Sequence, residues 1–384
     1  MQQPPDARLA SRVGTGVWWE FTTDGQPAEG NSNSYFIFPA AASKDDDDAI
    51  LPSHFRSAMT RAGHPYQSLT PDLVMTAVES CGYRCDCRIL ALNSYENRVY
   101  QVGVEDAPPL IAKFYRPGRW SDAQLREEHL FTLELAEHEL PVVAPLVRDG
   151  ETLFQYGGFA FSLSPRQGGH APEFDNLDNL LIMGRLLGRL HAVGAIRPFT
   201  HRPQLDSLSF GRESVALLLE DFVPAEYQAN YRALSDDLLL SIEELFAAVK
   251  PRFIRTHGDC HAGNVLWRDG APHLVDLDDA RMAPAIQDIW LMLSGDRQRQ
   301  TAQLAEIIDG YSEFHDFHPR ELRLIEALRA LRLLHYSAWL ARRWDDPAFP
   351  HHFPWFNTPR YWGEQILALR EQLAALVEPP LELP

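Results

Sequence analysis

Between Phe253 and Arg281 the chain reads FIRTHGDCHAGNVLWRDGAPHLVDLDDAR. Short apolar runs alternate there with acidic and glycine-bearing turns, and that alternation restricts what the chain can form. Ile254, Val265–Trp267 and Leu274–Val275 read as strand material, with Asp276 opening an acidic turn. Acceptor-rich residues held between buried strands are what a site needs to position a metal ion and a proton acceptor. The competing reading is a pair of solvated turns rich in Asp and Gly. Context from the rest of the chain has to separate the two.

A length of 384 residues suggests roughly two or three structural units. Hydrophobic residues make up 45%, enough for a sizeable core. A net charge of −18 argues against broad nucleic-acid binding, which wants a basic face. It leaves nucleotide binding open, since that needs only local positive charge and a metal. Cys81, Cys85, Cys87 and Cys260 are expected as reduced thiols; one residue between Cys85 and Cys87 is too few for the usual zinc spacing. No uninterrupted run of about 20 apolar residues is present and the N-terminus lacks signal-peptide features, so a cytoplasmic protein without a membrane span is expected. Residues 1–66 show no sustained period and carry the Asp45–Asp48 run. They read as a poorly ordered, non-catalytic extension, or as a mis-assigned start with Met59 the initiator.

From residue 67 to 163 the pattern is that of a small sheet lobe. Thr70 caps a helix over Leu73–Cys81, with Pro71 at its first position. Ile89–Leu92, Arg98–Val104 and Leu110–Tyr115 read as strands. The turn Asn93–Asn97 between two of them could offer backbone N–H groups and the Ser94 hydroxyl to a phosphate. It holds no glycine, so it is not a Walker or G-x-G-x-x-G loop. Lys113 sits among apolar residues in the third strand, as a phosphate-binding lysine would, or as an edge lysine that prevents strand pairing. Ser121 and Gln124 form a capping box for the next helix. Glu127 or Glu128 in it could pair with Lys113, and Glu128 is favoured by its position between Leu125 and Leu135. Pro141–Val147, Leu153–Gln155 and Phe159–Leu163 add strands. Ser164–Gly169 then reads as a link to a second lobe, with an adenine edge expected near Ser162–Ser164.

Residues 164–384 read as mainly helical. Helices are expected over Asn179–Val193, Asp236–Val249, Ile286–Leu293, Leu304–Phe314, Glu321–Trp344 and Tyr361–Val377. Gly184 and Gly188 would permit close approach of another element, and the aromatic segment Arg342–Phe356 would pack as an irregular cap. Within this lobe, Asp259, Asn264 and Asp276 follow the order of a phosphoryl-transfer loop: a base, a neutral metal ligand, an anionic metal ligand. Asp259 would accept or orient the proton of an attacking hydroxyl. Asn264 and Asp276 would hold Mg²⁺ through hard oxygens. Asp278 and Asp279 would reach a second metal or cap a turn, His257 would orient the loop, and His261 would touch substrate or phosphate. Adjacent Cys260 and His261 cannot easily converge on tetrahedral zinc.

His257-Gly258-Asp259-Cys260-His261-Ala262-Gly263-Asn264-Val265-Leu266 resembles the H-G-D-x-H-x-x-N loop of the aminoglycoside phosphotransferase/choline kinase superfamily. Within it, the segments 92–101, Lys113–Pro117, 258–261 and 344–350 resemble the bacterial stress response kinase A family, from about Gln67 to the C-terminus. The resemblance implies an α+β, bilobal protein-kinase-like fold with a small antiparallel-sheet N-lobe and a larger helical C-lobe. It also implies phosphorylation of protein Ser/Thr hydroxyls, dependent on ATP and Mg²⁺ and linked to stress. Position by position, Asp259 is then the catalytic aspartate, Asn264 and Asp276 the metal ligands, Ser94 a nucleotide-loop residue and Lys113 the phosphate-binding lysine. No nucleic-acid or membrane partner is expected, and a monomer is. Asp276-Leu277-Asp278 replaces D-F-G and the glycine loop is missing. Small-molecule kinases of the superfamily share both departures, so a small-alcohol kinase is the alternative, and a non-catalytic nucleotide-binding module the third reading.

Overall fold

The computed structural model describes residues 64–383, so the extension assigned to 1–66 falls almost wholly outside the described residues. Tyr66, near their start, is buried in the core of the first lobe and donates its hydroxyl to the Phe114 carbonyl at 3.3 Å.

The first lobe begins with helix α1 (Pro71–Ser80), where Thr70 Oγ1 accepts the Leu73 N–H. Five antiparallel strands follow: β1 (Cys85–Leu92), β2 (Arg98–Val104), β3 (Ala107–Phe114), and, after helix α2 (Asp122–Glu137), β4 (Phe154–Tyr156) and β5 (Phe159–Pro165). Their spatial order is β1-β2-β3-β5-β4, so β3 is central. Lys113 pairs with Val99 on one side and Ser162 on the other. The edge-strand reading of this lysine is thereby excluded. Strand alternation puts Ala112 and Phe114 into the core and turns Lys113 to the opposite face. The capping box at Ser121 and Gln124 forms as the sequence expects.

Pro141–Val147, expected as a strand, is instead an extended strap. Pro141 and Pro145 have no N–H to give a ladder. The strap bonds at two places: Leu274 donates its N–H to the Pro141 carbonyl and accepts the Val143 N–H, and the Leu146 N–H goes to the Leu163 carbonyl. It thus bridges the two lobes behind the cleft.

The second lobe is built on helices α3 (Leu177–Gly194), α4 (Glu213–Asp221), α5 (Ala225–Val249), α6 (Ile286–Ile289), α7 (Arg297–Ser312), α8 (Ile325–Ala341), α9 (Ala348–His352) and α10 (Pro359–Ala375). Short strands β6 (Ile254–Thr256), β7 (Val265–Arg268), β8 (Ala271–Leu274) and β9 (Arg281–Ala283) form two antiparallel pairs, β6 with β9 and β7 with β8. α3 packs along α7, and Gly184 and Gly188 make this possible: a Cβ on either would run into the Ile307 or Tyr311 carbonyl. Several helix bounds differ from expectation. Ile286–Leu293 stops as α-helix at Ile289 and tightens into a 3₁₀ turn, and Glu321–Trp344 begins as a 3₁₀ turn at Pro319. The first turns of α5 were not foreseen, because the polar run from Ala225 buries little beyond Tyr231 and Leu234.

Candidate active site

The loop between β6 and β7 carries Asp259, and its shape is set by a residue almost thirty positions away. Asp288 on α6 is wholly buried and accepts the backbone N–H of His257 at 2.7 Å and of Gly258 at 2.8 Å. It also meets His191 Nε2 at 3.0 Å, and His191 in turn meets the Tyr311 hydroxyl. Gly258 takes φ +85°, and a side chain there would strike the Asp279 carbonyl, so both conformation and space require glycine. His257 Nε2 meets the Val275 carbonyl at 3.0 Å, tying this loop to the one that bears Asp276. The orienting role expected of His257 is what the geometry displays.

Asp259 Oδ1 accepts Arg332 Nη1 from α8 at 2.6 Å, and His261 Nε2 lies 3.4 Å from Oδ2. Burial would raise this carboxyl, but Arg332 and His261 outweigh it and hold the group well below the ordinary aspartate range. The carboxylate is therefore an anion throughout the neutral range. His261 Nδ1 also accepts the Gly263 N–H, capping the turn that delivers Asn264. Asn264 donates its amide to the Asp259 carbonyl at 2.9 Å, which leaves Oδ1 as its acceptor.

Asp276 stands at φ 59°, ψ 59°, a left-handed conformation that costs a non-glycine residue about 1 kcal/mol or more. Its Oδ1 accepts Lys113 Nζ at 2.6 Å. Lys113 also lies 3.6 Å from Asp278 Oδ1. Burial opposes the ammonium charge, yet Asp276 and Asp278 outweigh it and hold Lys113 well above its ordinary value. The sequence-expected carboxylate partner on α2 is thus corrected. Neither Glu127 nor Glu128 forms an ion pair with Lys113 within 4 Å. Glu127 points to the second lobe and accepts the N–H groups of Thr200, His201 and Arg202. Glu128 lines the cleft but accepts the Thr132 hydroxyl, and burial pushes its carboxyl up to about 6 despite Lys113 nearby.

Carboxylates beyond the expected metal ligands tie the loop 93–97 and the arginines beside it to the second lobe; sequence reasoning gave Glu96 and Asp346 no such role and offered Asp278 and Asp279 only as second-metal acids or turn caps. Glu96 pairs with Arg343 at 2.6 Å and accepts Trp339 Nε1 at 2.7 Å, while Arg116 Nε donates to its main-chain carbonyl and lies 3.1 Å from its Oε1. Asp346, almost fully buried, accepts Arg116 at 2.7 Å and Arg98 at 3.3 Å. Asp278 accepts Asn97 Nδ2 at 3.2 Å and also pairs with Arg119, so it is neither a free acid nor a simple turn cap. Asp279 pairs with Arg119 at 2.9 Å and Arg281 at 2.6 Å. Only the spacing of Arg98, Arg116 and Arg119 around Lys113 could have hinted at this, and a partner hundreds of residues away leaves no periodic signal.

Ser94, Lys113, Glu128, Asp259, Asn264 and Asp276 all line one cavity of about 1640 Å³ between the lobes. Among the described residues no three His, Cys, Asp or Glu side chains converge as a protein cage for a metal. Asp278 Oδ1 is buried without a hydrogen-bond donor, and Asn264 Oδ1 and Asp276 lie on the same cavity. These hard oxygens fit a divalent cation. Cys260, by contrast, is fully buried in the lobe core, and burial raises its thiol well above the ordinary value.

This fold and this site define a phosphotransferase. The model of the phosphotransferase enzyme family matches residues 88–325. A stress response kinase A of Salmonella choleraesuis (strain SC-B67) is 47% identical over 320 residues, covering 83% of this chain and 97% of that protein. A Salmonella typhimurium protein (strain LT2 / SGSC1412 / ATCC 700720) named serine/threonine protein kinase RdoA is 47% identical with the same coverage. In fold, the chain matches the amicoumacin kinase hAmiN, solved in complex with AMP-PNP, Ca²⁺ and Ami, with a TM-score of 0.61 at 18% identity, over 81% of this chain and 94% of that one. The chain belongs to the aminoglycoside phosphotransferase/choline kinase superfamily, and within it to the stress response kinase A family. It is a kinase with the bilobal protein-kinase-like fold.

Proposed function

We propose that this kinase transfers the γ-phosphoryl group of ATP, with Mg²⁺, to Ser or Thr hydroxyls of proteins. The reading rests on Lys113, Asp259, Asn264 and Asp276 lining one cavity that, at about 1640 Å³, is larger than the usual pocket for a single small molecule. Beside a nucleotide, that volume leaves room for a segment of polypeptide along α8 and α9. The printed name of the Salmonella typhimurium relative agrees with a protein acceptor.

In this reading Lys113 exchanges its Asp276 partner for the α- and β-phosphates, and backbone N–H groups around Ser94 cover the phosphates. Asn264 and Asp276 would hold the metal, with Asp278 Oδ1 available behind them; the metal supplies neutralisation of phosphate charge. Asp259, kept anionic by Arg332, orients the acceptor hydroxyl and takes its proton. The hydroxyl oxygen bonds to the γ-phosphorus while the bond from that phosphorus to the β,γ-bridging oxygen breaks, and ADP leaves with the electron pair. Glu128 faces the same cleft and would act through its charge on Lys113, not by direct pairing. The four free cysteines fit a reducing cytoplasm, and a monomer completes the reading.

The test is incubation with labelled ATP and Mg²⁺ beside generic proteins, the chain itself and a panel of small alcohols, with Asp259→Asn as control. Label on protein is the expected result. Label on a small alcohol alone would replace this reading with the small-molecule kinase, and unchanged transfer by Asp259→Asn would sink the mechanism.

A further inference from the structure

The acceptor side of the cavity carries a second message, in its charge. Its wall after Asp279 runs from Arg281 through α8 to the segment 351–355, and no Asp or Glu from that stretch lines the cavity. Arg332, Arg342, His351 and His352 line it, among the rings of Tyr336 and Trp355. Glu96, Glu128 and Glu213 are the glutamates that line the same cavity. The chain as a whole is at −18, so a cationic wall here is local and runs against the global field.

The arginines on this wall differ in what they do. Arg343 is bound to Glu96 and Arg281 to Asp279, both inside the site's own network. Arg332 holds Asp259. Arg342, which caps the C-terminal end of α8, is exposed and makes no ion pair within 4 Å among the described residues, although Glu213 lies close enough to act on its charge. Arg332 and Arg342 are ten positions apart on one helix, which is about 15 Å along its axis. An extended peptide covers about that distance in four or five residues. Aromatic rings between them give the intervening side chains an apolar floor, and the guanidinium at the far end matches a carboxylate in a planar, bidentate fashion.

We propose that the acceptor is a polypeptide segment with an acidic side chain four or five residues from its Ser or Thr, read by Arg342 while the hydroxyl sits at Asp259. This inference rests on the protein-kinase reading above and adds the charge and register of the substrate.

The experiment is steady-state kinetics of the full chain, with Mg²⁺ and ATP, on Ser peptides identical except for one Asp moved from one to six residues on either side of the serine. Matching sets carry Asn or Lys at the moved position. An Asp four or five residues away should raise kcat/KM on the order of tenfold over Lys, mainly through KM, and rising salt should erode the gain. Arg342→Glu should invert the preference toward Lys, and Arg342→Ala should abolish it; the exposed position makes both variants compatible with folding. Peptides phosphorylated without positional charge preference, or a preference unchanged in Arg342→Glu, overturn this inference and leave the protein-kinase reading standing. Label on no peptide or protein, but on a small anionic alcohol such as a sugar phosphate, overturns both.

Discussion

Asp288→Asn should unseat the catalytic loop without touching substrate. The native carboxylate is wholly buried and accepts two backbone N–H groups, at 2.7 and 2.8 Å, besides meeting His191 Nε2 at 3.0 Å. Asparagine keeps one accepting oxygen and turns an N–H₂ group toward a donor. At least one hydrogen bond to a charged acceptor is lost, worth roughly 1.5–3 kcal/mol, and a buried N–H is left without a partner at about 1–3 kcal/mol. A net loss of ~3 kcal/mol corresponds to a Tm lower by roughly 6–12 °C in a lobe of this size. Because His257 and Gly258 immediately precede Asp259, displacement of the loop by about 1 Å should lower kcat on the order of a hundredfold. Differential scanning calorimetry and initial-rate assays on the same preparation measure both. A Tm within 2 °C of the parent, in the units of that same scaling, together with an unchanged kcat, would refute the claim that Asp288 holds the loop.

Arg332→Ala removes the larger of the two influences that hold Asp259 low and leaves His261 alone against burial; the carboxyl rises, and the acid limb of the kcat/KM profile should move to higher pH. An unmoved limb would show that Arg332 does not tune the base. In Lys113→Ala the KM for ATP should rise by about tenfold or more, while the melting point shifts by only a few degrees, since Arg119 and Asn97 still satisfy Asp278; a collapse of the fold would make the lysine structural. Gly184→Ala drives a Cβ into the Ile307 carbonyl and should cost about 1–3 kcal/mol in chemical denaturation with KM values intact.

Much of the site was legible because its chemistry is local. Asp259, Asn264 and Asp276 sit on the loops of one β6-β7-β8 passage, so residue type and order already carry much of their placement, and the capping box at Ser121 follows from hydrogen bonds three residues apart. The partners of those residues are not local. Glu128 was favoured for Lys113 from its place on a helix, but the face a helix turns to a strand depends on how the two pack, and Asp276 and Asp278 arrive from the other lobe instead.

From the sequence, strand alternation, helix period and loop spacing located many of the elements and the acids that stand in the cleft, since these depend on neighbours a few positions apart, while the bilobal fold class followed from the family resemblance of the motifs. Tertiary structure decided which cation faces which acid: Arg332 on Asp259, Lys113 between Asp276 and Asp278, Asp346 under Arg98 and Arg116. Ion pairs act over a few ångströms whatever the separation along the chain, so no pattern of spacing encodes them. Asp288 shows the difference most plainly: in sequence it is one acid near the start of a short helix, and in the folded chain it carries the loop that bears Asp259.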